Sequence, residues 1–163
     1  MGDSMFRTAA FSDCGLYRYS LTRRWADGPR ALFVMLNPST ADATADDPTI
    51  RRCISFARRE GCGAIEVVNC YALRSTSPAA LRMSAIDIVG PHNRQAVEAA
   101  LQYAARVICA WGAHPVESSP VPALLAEADR WCLGVTADGS PRHPLYVRAD
   151  APLLRWPVEV NRE

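Results

Sequence analysis

A chain of 163 residues, 49% apolar and 21% charged, has the make-up of a globular protein that buries a core without covalent staples. All 18 basic residues are arginine and the net charge is +1, which argues against strong non-specific binding to nucleic acid. The 6 cysteines form no CxxC pair, no apolar run reaches membrane-spanning length, and the polar start Met1-Gly2-Asp3-Ser4 has no signal-peptide core. A cytoplasmic protein with no membrane partner is expected; the sequence sets no oligomeric state.

Residues 1–14 read as a loosely held arm. Leu16 to Trp25 alternates apolar and polar residues as a half-buried strand does, and Ala26-Asp27-Gly28-Pro29 is a turn signal. Ala31 to Leu36 is apolar throughout, which suits a strand covered on both faces. The two strands predict an amino-terminal antiparallel hairpin whose second strand is central. Asn37-Pro38 stops that strand, because proline cannot continue a central ladder. Asp47-Pro48 is a helix start, Ile50, Cys53, Ile54 and Ala57 recur at helical spacing, and Gly61 ends the run.

Ala64 to Asn69 is a second buried strand, followed by a Ser/Thr/Pro loop over 74–78 and a short helix near Ala79 to Arg82. Asn93 to Ala105 predicts an amphipathic helix with Ala96, Val97, Ala100, Leu101 and Ala104 inward. Arg106 to Gly112 is a third inner strand, Pro120 to Asp129 a helix, and Trp131 to Val135 a fourth strand. The turn 137–141 leads to Arg142-His143-Pro144-Leu145-Tyr146, and Leu153, Leu154 and Trp156 in the tail can cover a sheet edge.

Strands alternating with helices predict one α/β domain over residues 1–163, a three-layer α/β/α sandwich with a mostly parallel central sheet. Right-handed crossovers would bring the carboxyl ends of the four inner strands to one edge, where open α/β sheets hold their ligands. Those ends carry Asn37, Asn69, Trp111-Gly112 and the loop to His143. Pro38, Ser39, Thr40 and Asp42 follow Asn37 in its loop, and Arg51 opens the next helix in a position to face a phosphate. Tyr71, Trp111 and Tyr146 are candidates for an apolar wall, and Arg142 adjoins His143. His92 and His114 are given no role.

Several segments together resemble an uncharacterised bacterial family, domain of unknown function 1643: Leu36-Asn37-Pro38-Ser39-Thr40-Ala41-Asp42, Asp46-Asp47-Pro48-Thr49-Ile50-Arg51-Arg52, Val67-Val68-Asn69-Cys70-Tyr71-Ala72-Leu73-Arg74, Cys109-Ala110-Trp111-Gly112 and Pro141-Arg142-His143-Pro144-Leu145-Tyr146. The order of features is also similar to that of the uracil-DNA glycosylase superfamily. That superfamily has a buried strand running into an Asn-Pro or Asp-Pro loop, a strand ending in Asn, a strand ending near Trp-Gly or Leu-Gly, and a His-Pro-Ser loop. The resemblance implies a glycosylase-like fold. It places Asn37 where a water is positioned, Asn69 where a base edge is read, and His143 where charge on the departing base is stabilised.

Asn37 and His143 are therefore the expected catalytic residues, and Pro38, Ser39, Thr40, Asp42, Arg51, Asn69, Tyr71, Trp111 and Arg142 the expected substrate contacts. The ligand would be a nucleobase, nucleotide or nucleic acid, and the chemistry hydrolysis of an N-glycosidic bond, with no cofactor. A second reading keeps the fold as a non-catalytic nucleotide, nucleic-acid or protein binding module, since Met35, Ser39 and Leu145 depart from the glycosylase loops. A third builds a metal-dependent hydrolase on Asp42, Asp46, Asp47 and a histidine.

Overall fold

In a computed structural model, residues 4–158 are described. Seven strands form one mixed sheet: β1 (Phe6–Phe11), β2 (Arg18–Arg24), β3 (Arg30–Met35), β4 (Ala64–Asn69), β5 (Arg106–Cys109), β6 (Arg130–Cys132) and β7 (Leu154–Arg155). Their order is β1-β2-β4-β3-β5-β6-β7. The central pairs β4–β3, β3–β5 and β5–β6 are parallel, whereas β1–β2, β2–β4 and β6–β7 are antiparallel. Among the described residues four helices accompany the sheet: α1 (Pro48–Arg59), α2 (Pro78–Arg82), α3 (Asn93–Tyr103) and α4 (Val121–Leu124).

The alternation along β3 explains why helices cover both faces. Leu32 and Val34 point into a core completed by Leu81 of α2, Val97 and Ala100 of α3 and Val121 of α4. Ala31, Phe33 and Met35 point the other way, onto Ile50, Cys53, Ile54, Phe56 and Ala57 of α1. Each large apolar side chain buried this way contributes about 1.5–3 kcal/mol, so β3 is pinned from both sides. Asp47 caps α1, its Oδ1 accepting from the Ile50 amide at 2.9 Å, with Pro48 in the first turn as the sequence predicts.

Three expectations need correction. Of the arm, residues 1–3 lie outside the described residues, and Phe6–Phe11 is a paired edge strand rather than loose chain. The predicted β2–β3 hairpin does not form, because β4 lies between the two. Gly63 makes room for that insertion: Trp25 and Ala26 amides donate to its carbonyl, its own amide donates to Pro29, and a Cβ there would sit 2.5 Å from the Ala26 oxygen. The 120–129 helix is a single turn, Val121–Leu124. The tail does cover an edge, with β7 paired to β6.

A β-bulge decides the site's chemistry. Ala10 faces Ser20 but Phe11 faces Arg18, so Tyr19 is an extra residue in β2. Bulges re-aim side chains. Tyr17 and Tyr19 join the α3 side, while Leu21 joins the α1 side. Arg18 and Arg23 are both buried in consequence, at 3% and 0% exposure.

Candidate functional site

The chain leaves β3 towards β4 over one face and leaves β4 towards β5 over the other, which opens a crevice beyond the carboxyl ends of these strands. A cavity of about 410 Å³ fills it, within the ~300–1,000 Å³ range of small-molecule sites. Asn37, Ser39, Asn69, Trp111, Arg142 and His143 all border it. Residues from four separate stretches of chain thus meet around one space.

Asn37 follows β3 and is held by its amide nitrogen, which donates to the carbonyls of Pro38 (3.1 Å) and Ser75 (2.8 Å). Two carbonyl partners fix which end is nitrogen and leave Oδ1 as an acceptor. Asn69, the last residue of β4, is 1% exposed, and neither its Oδ1 nor its Nδ2 has a partner. Its main chain is better satisfied, the carbonyl accepting from Asn93 Nδ2 at 2.8 Å. Trp111, just past β5, meets the Trp156 ring edge-on at 5.1 Å, which holds it as a fixed apolar wall.

His143 precedes the short 3-10 helix Pro144–Tyr146, and its Nδ1 accepts from the Leu145 amide at 3.1 Å. The neutral ring therefore carries its proton on Nε2, a donor. Burial lowers the His143 pKa from its ordinary 6.5; the negative charge of Asp47 opposes that and His114 reinforces it. The neutral form is thus favoured at pH 7. Arg52 of α1 braces this loop, donating to Pro144 at 3.1 Å and to the Val147 carbonyl while lying over the Phe56 ring. Gly112, at φ +77°, passes behind His143, where a Cβ would approach its side chain to 3.8 Å.

Other expected residues lie elsewhere. Thr40 is exposed, and Pro38 is buried in the loop without bordering the cavity. Asp42 folds its own loop, accepting from the Thr44 and Ala45 amides, which holds its carboxyl pKa down. Arg51 is exposed and bonded to the Asp46 carbonyl. Tyr71 borders a smaller neighbouring cavity of about 180 Å³ and donates to the Pro115 carbonyl. Asp46 pairs with Arg23 and Asp47 caps α1. The three aspartates thus serve separate partners, and no group of three His, Cys, Asp or Glu among the described residues is placed to hold a metal.

A family profile described as "Protein of unknown function (DUF1643)" matches residues 18–145. The chain belongs to the DUF1643 family. No curated protein and no solved structure matches it.

The DUF1643 segment, from Arg18 to Leu145, begins and ends on residues that border the cavity. Lining residues that were not anticipated include Arg18, Thr49, Thr76 and His114. Arg18 was hidden by its alternating strand, which marks it as outward until the bulge turns it in. His114 follows the Trp111-Gly112 turn, and only the fold brings it near His143, both beside Gly112. No helix among the described residues is long and apolar enough to cross a membrane.

Proposed function

We propose that the cavity binds a nucleobase or nucleotide and that the protein hydrolyses an N-glycosidic bond in the manner of a uracil-DNA glycosylase. The observation that carries the reading is Asn69. A carboxamide with a free donor and a free acceptor, buried at the end of a pocket, costs stability unless a ligand pairs with both. The amide edge of a pyrimidine or purine offers that complementary acceptor and donor, and Trp111 offers the apolar wall a flat ring needs.

The remaining groups fit the bond cleavage. The C1′–N bond breaks with its electron pair going to the base, and a water oxygen bonds to C1′. Asn37 Oδ1 accepts a hydrogen bond from that water and orients it without titrating. Nε2–H of His143 donates to the base oxygen on which negative charge grows, and a fixed donor in a dry pocket stabilises such charge better than water does. The water's surplus proton passes to solvent, and the departing base takes one from solvent.

The test is to incubate the protein with oligonucleotides carrying uracil, mismatched thymine or other altered bases, and with free nucleosides, and to measure released base. Release that falls at least ~100-fold in Asn37→Ala and His143→Gln supports the proposal, in line with the loss of one preorganised transition-state donor. If no base is released, the enzymatic reading is lost. Ligand binding without turnover would then select the binding-module reading, which the Leu145 side chain in place of a loop hydroxyl favours.

A further inference from the structure

Arg18 and Arg23 lie on one strand and one side of the sheet, yet they are treated very differently. Arg23 is saturated: its Nε meets Asp46 at 2.7 Å, and its terminal nitrogens reach the carbonyls of Thr8, Thr22, Asp42 and Ala45. Arg18 has one protein acceptor, the Ala41 carbonyl at 3.1 Å, and its buried Nε has none. Among the described residues no carboxylate lies within ion-pair distance of it; Asp47, the anion that influences it most, is occupied in capping α1. A guanidinium 97% removed from solvent without a counter-ion is costly, and Arg18 borders the cavity.

Ser39, Thr49 and Thr76 border the same cavity, and none of their hydroxyls has a hydrogen-bond partner among the described residues. One under-bonded buried guanidinium and three uncommitted hydroxyls form a donor-rich lining suited to an oxyanion with several acceptor atoms. We propose that this part of the cavity, with Arg18 at its centre, is a subsite for a phosphate monoester, so that the ligand is a phosphorylated nucleoside rather than a free base or nucleoside. The inference rests on the nucleobase reading of Asn69 and adds the phosphate to it. The monoester could belong to a free nucleotide or to the end of an oligonucleotide.

Isothermal titration of the whole chain with nucleoside monophosphates, the matching nucleosides, inorganic phosphate and short 5′-phosphorylated oligonucleotides tests it. The monophosphate is expected to bind at least ~10-fold more tightly than its nucleoside, consistent with a charge-assisted contact worth more than about 1.4 kcal/mol. Inorganic phosphate should compete with it. Arg18→Gln should erase the difference between nucleotide and nucleoside, and Arg18→Lys should keep part of it. Tighter binding of the phosphorylated oligonucleotide than of the mononucleotide assigns the subsite to a strand end, and the reverse assigns it to a free nucleotide. Equal binding of nucleoside and monophosphate by the unaltered protein overturns the subsite while leaving the base reading intact. If neither binds, both fall together. The comparison on the unaltered chain needs no variant to fold.

Discussion

Replacing Asn69 by leucine separates a residue kept for a ligand from one kept for the fold. Its side-chain oxygen and nitrogen are both buried and both unpaired. An unsatisfied buried polar group costs about 1–3 kcal/mol, so two of them place the penalty at roughly 2 kcal/mol or more. Leucine removes both, its two methyls taking the places of the amide oxygen and nitrogen beside the cavity that Asn69 borders. The variant should be about 2 kcal/mol more stable. For a chain of this size that is a rise of roughly 4–8 °C in Tm, and a urea midpoint higher by about 1 M. Asn93 is the internal control. It is also fully buried and its Oδ1 is unpaired, but its Nδ2 donates to the Asn69 and Cys70 carbonyls, so Asn93→Leu strands two buried carbonyls and should lose about 1 kcal/mol. Urea unfolding followed by far-UV circular dichroism measures both, alongside base or nucleotide binding. A destabilised Asn69→Leu protein would refute the reasoning, because the amide would then be serving the fold; a stabilised one that binds ligand as before would refute it as well, because the amide would then not be reading the ligand.

The two buried arginines should respond in opposite ways. Arg23→Met strips Asp46 and four carbonyls of their partner and should cost about 3–5 kcal/mol by thermal unfolding, whereas Arg18→Met should cost less than about 1 kcal/mol. Asp47→Ala removes the α1 cap and should cost about 1 kcal/mol by urea unfolding. His143 has a folded pKa below 6.5, so the unfolded chain binds the extra proton first as pH falls. Its contribution to stability is constant above that value and declines as pH drops from 6.5 towards the folded pKa, a decline that His143→Gln should lack. Any base release should keep its rate through pH 6.5 and lose it only at lower pH, where the Leu145 amide would face a protonated Nδ1; an acid limb centred above 6.5 would contradict the assignment.

Much of the fold could be read from local pattern. The apolar run at 31–36, the Asp47-Pro48 cap and the 93–103 periodicity each carry a signal that needs no distant partner. Strand ends were legible for the same reason: an Asn-Pro or an Asn after a β-rich run stops the ladder wherever the strand sits. That is why Asn37, Asn69, Trp111 and His143 could be expected at one sheet edge before any coordinates.

The sequence by itself therefore determined the inner strands, the helices α1 and α3, and which residues stand at the strand ends, while the edge strand β1 and the single turn of α4 escaped it. Tertiary structure decided the rest. It chose β4 over β3 as the neighbour of β2, because pairing depends on which strands can be buried together rather than on which are joined by a short turn. It also turned Arg18 inward, since one bulged residue reverses the facing of everything beyond it on the strand, and no periodicity in the chain records that reversal.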